Sequence, residues 1–274
     1  MAKTLTHFQA RENAPPTSAP RPAEPDTDEW VRRGEMVATP LAVIPGARSE
    51  RWERWARAQR HDWEWRRLAR YLPARPSLAV DLGCGYGDWT ARLTTIARQL
   101  IAVDMAPGFV AETTRRLRTS GHTDWTVSCG DVRRFVDYAN ADLVVLGGIL
   151  TYLDDVEATE LLTRVRERLS PDGIVQQRDW CAVNLGRAHH HWAHGQFRAH
   201  RRAADYHVLA QRAGLVVIEE RHSSSLHAEQ LVHRTLGMRH EGATGVMAPL
   251  ARAVGRVATA WARRATVAFF LRRA

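Results

Sequence analysis

The stretch Leu78-Ala79-Val80-Asp81-Leu82-Gly83-Cys84-Gly85-Tyr86-Gly87-Asp88 decides the fold of this 274-residue chain. Leu78-Ala79-Val80 is a short apolar run and reads as a strand. Asp88 to Gln99 reads as a helix, with Trp89, Leu93 and Ile96 on one face. Between them lies a glycine loop, where the backbone can turn tightly and approach a ligand. Two common nucleotide loops do not fit it. A dinucleotide site wants Gly-x-Gly-x-x-Gly/Ala, but the sixth position is Asp88 counted from Gly83 and Thr90 counted from Gly85. A P-loop wants Gly-Lys-Ser/Thr, which is absent. Asp88 also puts a carboxylate where a pyrophosphate would otherwise sit. The loop predicts a nucleoside-like ligand without phosphates.

Outward from the loop, strand and helix signals alternate. Leu100 to Val103 reads as a second strand, Gly108 to Thr119 as a helix, and Trp125 to Ser128 as a third strand. Leu143 to Leu146 is a fourth strand, apolar without a break, as expected when both faces are covered. Asp154 to Leu169 reads as a helix with Leu162, Val165 and Leu169 in register, and Asp154 with Glu157 resembles a capping box. Ser170-Pro171-Asp172-Gly173 is a turn signal, and Gly173 to Trp180 an unusually polar fifth strand. Arg202 to Ala213 reads as a helix stopped by Gly214, Leu215 to Glu219 as a sixth strand, Ala248 to Ala262 as a helix and Thr266 to Leu271 as a last strand. Such alternation predicts a parallel-dominated α/β sheet with helices on both faces.

Acids stand after successive strands. Asp104 ends the second, 23 residues beyond Asp81, where a carboxylate can accept both hydroxyls of a ribose. Asp131 follows the third in Gly130-Asp131-Val132 and can accept a proton from an adenine amino group.

With these residues on the page, the sequence resembles the class I S-adenosylmethionine-dependent methyltransferases over roughly residues 50 to 274. The resemblance rests on Asp81 to Gly87, Val103-Asp104-Met105, Gly130-Asp131-Val132, Leu146-Gly147-Gly148-Ile149-Leu150-Thr151-Tyr152-Leu153 and Leu169-Ser170-Pro171-Asp172-Gly173. It implies a Rossmann-like, seven-stranded, mostly parallel sheet whose last strand is antiparallel. It also implies S-adenosyl-L-methionine as cofactor. Asp81 and the loop Gly83, Cys84, Gly85 and Gly87 would hold its methionine part, and Asp104 its ribose. Met105 would pack on the adenine, with Asp131 and Val132 at the adenine edge. Gly147 and Gly148 would pass near the sulfonium. The Asn/Asp-Pro-Pro-Tyr motif of amino methyltransferases acting on DNA is replaced by Gly147-Gly148-Ile149-Leu150, which points to a small-molecule acceptor.

Methyl transfer from a sulfonium mainly needs alignment and exclusion of water, and a base only if the nucleophile arrives protonated. Acceptor groups in this fold lie beyond the fourth and fifth strands, so Tyr152, Arg178, Asp179 and Trp180 are candidates. Asp179, Tyr152 or a histidine such as His190 could serve in catalysis, and Arg178 could hold a carboxylate or phosphate bidentately. His189, His190, His191, His194 and His200 crowd one segment. His190 and His194 have the spacing of a helical metal pair, but no Cys, Asp or Glu lies nearby to complete the shell, so no metal is expected. His200 and Tyr206 could line the pocket rim. Two other outcomes with the same cofactor stay open: transfer of its aminocarboxypropyl chain, and its own cyclisation. An RNA methyltransferase and a non-catalytic cofactor-binding regulator are the remaining alternatives.

Residues 1–28 carry Pro15, Pro16, Pro20, Pro22 and Pro25 and read as a disordered tail. Residues 29–72 read as a helical cap rich in Trp and Arg, with Trp65, Leu68 and Leu72 on one face and Trp52 paired with Trp55. Residues 73–274 form the expected cofactor-binding core. The net charge of +9 comes from 39 basic residues, of which only Lys3 is lysine. That dispersed arginine surplus reads as a compositional bias rather than a nucleic-acid surface. An acceptor that can be anionic is compatible with it. Three widely spaced cysteines indicate no disulfide framework, and no apolar run is long enough for a membrane span. A cytoplasmic protein is expected; homo-oligomerisation stays open.

Overall fold

The structure, a computed structural model, describes residues 28–35, 50–182, 189–193, 196–224 and 264–274. Helices α1 (Asp28–Glu35) and α2 (Glu50–Leu68) precede β1 (Leu78–Leu82), α3 (Asp88–Leu93), β2 (Gln99–Asp104), α4 (Pro107–Thr119) and β3 (Trp125–Cys129). Then follow β4 (Ala141–Gly147), a 3₁₀ turn (Leu150–Tyr152), α5 (Asp155–Arg168), β5 (Leu169–Ala182), β6 (His189–Ala193) and β7 (Gln196–His200). The series ends with α6 (Ala203–Arg212), β8 (Leu215–Ser224) and β9 (Arg264–Arg273). Seven strands form one sheet in the order β3-β2-β1-β4-β5-β9-β8. Strands β1 to β5 pair in parallel, and β9 runs antiparallel to both β5 and β8.

The sheet is covered on both faces because its strands are apolar at consecutive positions. Val144 and Leu146 of β4 and Val267, Phe269 and Leu271 of β9 pack with Leu161, Leu162 and Val165 of α5 and Leu209 of α6. Leu143, Val145, Ala268 and Phe270 turn to the other face and meet Leu68 of α2, Trp89 and Leu93 of α3 and Leu117 of α4. The predicted face Trp65, Leu68 and Leu72 joins that second core.

Capping sets several boundaries. Asp154 accepts from the Glu157 amide at 2.9 Å while the Glu157 carboxylate accepts from the Asp154 amide at 3.1 Å, the capping box expected from the sequence. Gly214, with φ 72°, follows α6.

Three expectations are corrected. The helix expected over Asp88 to Gln99 stops at Leu93. The hydroxyls of Thr94 and Thr95 bond back to the Ala91 and Arg92 carbonyls, at 2.7 and 2.8 Å. The amides of Arg98 and Gln99 then bond to Pro76 and Ser77, which draws the chain into β2. Ser170 to Gly173 is not a free turn but an irregularity within β5, where the pairing with β4 jumps from Ala141↔Leu169 to Leu143↔Ile174. The histidine-rich segment, expected as a polar surface loop, is extended: β6 and β7 form an antiparallel pair with His190 opposite Ala199 and His191 opposite Arg198. Residues 1–27 of the expected tail and the helix expected over Ala248 to Ala262 lie outside the described residues, as do His194 and the side chains of Trp52 and Trp55.

Candidate functional site

Strand order reverses between β1 and β4, since β2 follows on one side of β1 and β4 on the other. In open α/β sheets, ligands bind at such a point, beyond the carboxyl ends of the strands. The loop after β1 is built for close approach. Gly83, Gly85 and Gly87 have φ of 74°, 56° and 88°. A Cβ on Gly83 would lie 2.1 Å from Cδ1 of Ile149, so a larger residue here would have to displace the Ile149 side chain. The amides of Gly83 and Cys84 bond to the Val103 carbonyl at 2.8 and 3.0 Å, tying the loop to β2.

Asp104 closes the arrangement. Its carboxylate accepts the Gly85 amide and the Ala106 amide, each at 2.9 Å. Burial raises its carboxyl above the ordinary value, against the opposing pull of these amides. Asp81 of β1 is buried, accepts from the Thr90 hydroxyl at 2.6 Å, and is pushed up to about 6 by burial. That bond ties β1 to α3. Cys84 is buried beside Thr113, and burial pushes its thiol well up, so it is a packing residue rather than a nucleophile. Met105 follows Asp104 directly, and its carbonyl lies 3.6 Å from the Cys129 sulfur.

Asp131 is engaged from within the chain. Burial raises its carboxyl, but hydrogen bonds and charge from Arg133 outweigh this and hold it below the ordinary range. Arg133 Nε lies 2.8 and 3.0 Å from the two carboxylate oxygens, and the same guanidinium reaches Glu157 at 3.0 Å. Val132 packs against the core.

Across the crevice, Gly148 has φ 85°, and its amide bonds to the Arg178 carbonyl at 2.7 Å. A Cβ on Gly147 would sit 3.2 Å from Arg178 Nη2, which puts the guanidinium against the end of β4. Arg178 Nη1 pairs with Glu64 of α2 at 3.3 Å, and the buried Glu64 also accepts from Gln176 at 3.1 Å. The second helix is thereby coupled to the site by a buried polar contact that spacing did not reveal.

The turn Leu150–Tyr152 is held from two sides. Asp179 accepts the Thr151 amide at 3.0 Å and the Gln177 amide group at 3.1 Å, and burial pushes it up to about 7. Arg201, 1% exposed, donates to the Leu150 and Leu153 carbonyls at 2.6 and 2.7 Å and to Asp155 at 2.8 Å. Asp179, a candidate base from the sequence, is thus buried and bonded to the turn. Tyr206 and His200, expected at the pocket rim, are buried as well. Tyr206 is fully buried in the core against Phe269 and Arg201, and His200 is buried at the end of β7. Trp180 is half-buried on β5 opposite Thr266. His190 is placed by its backbone on β6.

Tyr152 is the expected residue that does stand at a junction. Its ring meets Trp30 edge-on at 5.0 Å, and the Arg198 guanidinium lies 5.9 Å from its centroid. Trp30 also packs on Tyr86, Ala106 and Phe109. Helix α1 therefore touches the loops after β1, β2 and β4. Its seat needs glycine, since a Cβ on Gly108 would lie 2.0 Å from the Gly34 carbonyl oxygen. Trp30, Arg198 and Glu64 were not singled out from sequence; the Trp- and Arg-rich composition of the segment before β1 was the only signal for the first.

Known proteins share this architecture. Residues 79–173 match a family described as "Methyltransferase domain". Nodulation protein S of Sinorhizobium fredii is 36% identical over 80 residues, 29% of this chain and 36% of that protein. A carboxy-S-adenosyl-L-methionine synthase of Shewanella baltica is 35% identical over 103 residues, 35% of this chain and 41% of that protein. The chain spans less than half the length of these curated relatives. A solved SAM-dependent methyltransferase of Leishmania major superposes with a TM-score of 0.61 over 90% of this chain and 85% of that one, at 16% identity. The matched segment runs from β1 into β5, so residues 79–173 match the methyltransferase-domain family, and the chain shares the fold of that solved SAM-dependent methyltransferase.

Proposed function

We propose that this chain transfers the methyl group of S-adenosylmethionine to a small molecule. The observation that carries the reading is Asp104 at the end of β2, bonded into the glycine loop after β1. A carboxylate offers about four lone-pair sites, and two are used by Gly85 and Ala106, which leaves acceptors for a ribose. Gly83, Cys84, Gly85 and Gly87 would take the methionine part over Asp81, and Met105, Val132 and Asp131 the adenine. Gly147 and Gly148 would lie toward the sulfonium, where a Cβ on Gly148 would meet nothing within 4 Å. The cofactor, when bound, supplies an electrophilic methyl group. The chain's part is to bind, align and exclude water. Trp30 and Tyr152 meet beside the loops after β1, β2 and β4, and Arg178, held by Glu64, presents a cation beside Gly147.

The likeness to a carboxy-S-adenosyl-L-methionine synthase favours a second reading, in which the cofactor itself is the molecule modified. Two measurements test these readings. S-Adenosylhomocysteine should raise the melting temperature by mass action while NAD does not; the reverse result overturns both. Mass spectrometry after incubation with S-adenosylmethionine and a panel of phenols, amines and acids then separates them: an acceptor heavier by one methyl, with S-adenosylhomocysteine as co-product, supports transfer, and a cofactor altered in any other way supports the second reading.

A further inference from the structure

The strand pairing lines up an acid, two glycines and an arginine across the carboxyl end of the sheet. Leu82 of β1 stands beside Val103 of β2 and Leu146 of β4, and Gly147 stands beside Arg178 of β5. One residue further along, the row therefore runs Asp104, Gly83, Gly147, Arg178. The Gly83 amide, bonded to the Val103 carbonyl at 2.8 Å, carries the parallel pattern into this row. Its two central residues have no side chains of their own. The Arg178 guanidinium leans over the second, with Nη2 3.2 Å from where a Gly147 Cβ would stand. Burial raises the carboxyl of Asp81 on β1 and the charge of Arg178 opposes the rise, so this cation is felt beyond β4. Neighbouring strands lie ~4.8 Å apart, so Asp104 and Arg178 mark the ends of a row roughly 14 Å long.

The guanidinium is held in that pose by α2. The buried Glu64 takes Nη1 of Arg178 at 3.3 Å and the Gln176 amide group at 3.1 Å. Glu64 is the carboxylate within ion-pair distance of Arg178 among the described residues, and it engages one of the guanidinium's several donors. The Arg178 side chain is 17% exposed, so a second carboxylate would meet it largely out of water, where a charge-assisted contact is strong.

We infer that Arg178 receives the α-carboxylate of the cofactor, and that Glu64 is the positioning residue that holds its guanidinium over Gly147. This rests on the cofactor reading above and adds the partner of the cofactor's anionic group. With the ribose at Asp104, a cofactor laid along the row over Gly83 and Gly147 brings its far end, which carries the carboxylate, to β5. Each end then meets its complement: hydroxyl donors meet an acid, and a carboxylate meets a forked cation. The carboxylate or phosphate of an acceptor is the other source of the same chemistry, and the inference commits to the cofactor.

The test is a titration of S-adenosylhomocysteine and of its decarboxylated analogue, which keeps the amine and the nucleoside. Wild type should prefer S-adenosylhomocysteine at least about tenfold, the scale of a charge-assisted hydrogen bond. Arg178→Gln should remove most of that preference by weakening S-adenosylhomocysteine, with the analogue changed less than about twofold. Arg178→Lys, which keeps the charge without the fork, should keep part of it. Glu64→Gln should also lose part of the preference at unchanged analogue affinity, a split that a merely structural role would not produce. Arg33→Gln, on a cation paired with Glu29 in α1, should keep the preference whole. If Arg178→Gln does not fold because Glu64 has lost its cation, Arg178→Gln combined with Glu64→Gln sets two neutral amides in place of the pair and reads the same preference. Equal binding of the two ligands by wild type overturns the inference. So does an equal loss of both in the folded Arg178 variants, or a preference that survives Arg178→Gln and falls in Arg33→Gln. An unchanged preference in Glu64→Gln overturns its positioning role. Benzoate added to protein saturated with S-adenosylhomocysteine reports the other source: an Arg178→Gln that keeps S-adenosylhomocysteine affinity but loses benzoate assigns the cation to an acceptor and overturns the inference. Failure of the underlying cofactor reading shows separately, as wild-type protein that binds neither S-adenosylhomocysteine nor its analogue.

Discussion

Asp104 hydrogen-bonds two backbone amides and still has acceptor capacity, so its removal should strike the ligand harder than the fold. Asp104→Ala should weaken S-adenosylmethionine at least about tenfold, since charge-assisted hydrogen bonds contribute roughly 1.5–3 kcal/mol each. Asp104→Asn keeps one acceptor and should lose less. Calorimetric titration of folded variants checks both, and unchanged affinity in Asp104→Ala would remove this residue from the site. Asp179 makes a different prediction. Its carboxyl holds a proton up to about pH 7 in the folded chain and releases it near 3.8 when unfolded. Between those values the folded state binds more protons, so this group's contribution to stability declines as pH rises toward 7. The decline is on the order of 4 kcal/mol at full effect. Asp179→Asn, with Gln177 turned to accept from the new amide, should remove that slope and be more stable than wild type at pH 8. Urea melts at pH 5 and pH 8 measure it; identical slopes in both proteins would refute it. The place of Asp104 at the end of β2 was legible because the acid follows an apolar strand directly. Asp179 was not, because sequence registers that a residue is charged and follows a site-bearing strand but not that a turn lies on top of it. The clue was the polarity of Gln176, Gln177 and Asp179 within one strand, which marks a buried hydrogen-bonded network as readily as a pocket wall.

Elements whose pattern is apolar and periodic were readable, and those held by polar contacts were not. Strands β1 and β4 have unbroken burial over their central residues, and α5 carries its cap in its sequence. The β6–β7 pair escaped notice because His189-His190-His191-Trp192-Ala193 lacks β-branched residues, and Gly195 alone hinted at a turn. Helix α1 sits on α4 by backbone contact at Gly34 and Gly108, a closeness that composition cannot announce. Gly108→Ala should therefore displace α1 while leaving the sheet folded, at a cost of about 1–3 kcal/mol typical of overpacking. Limited proteolysis should then cut within residues 28–35 faster than in wild type, and an unchanged cleavage rate would show that α1 does not depend on this seat.

At the scale of the molecule, β9 lies between β5 and β8 and supplies both cores, Val267, Phe269 and Leu271 to one and Ala268 and Phe270 to the other. Phe269→Ala should accordingly cost about 3–5 kcal/mol in a urea melt. Val216→Ala, at a position 41% exposed, should stay within about 0.5 kcal/mol. A Phe269 effect no larger than the Val216 effect would mean that the sheet does not close through β9. The antiparallel last strand was an expectation of the family resemblance; its place between β5 and β8 follows from the pairing of residues 264–273 with two strands at once.

That position has a consequence during synthesis. The ribosome completes β5 more than eighty residues before it releases β9. At ~5–20 residues per second, the nascent chain waits seconds with the backbone groups along one side of β5 unsatisfied. An exposed strand margin of that kind is a template for pairing with other chains. Newly made copies should therefore depend on chaperones or low local crowding until residues 264–273 emerge, however stable the finished sheet.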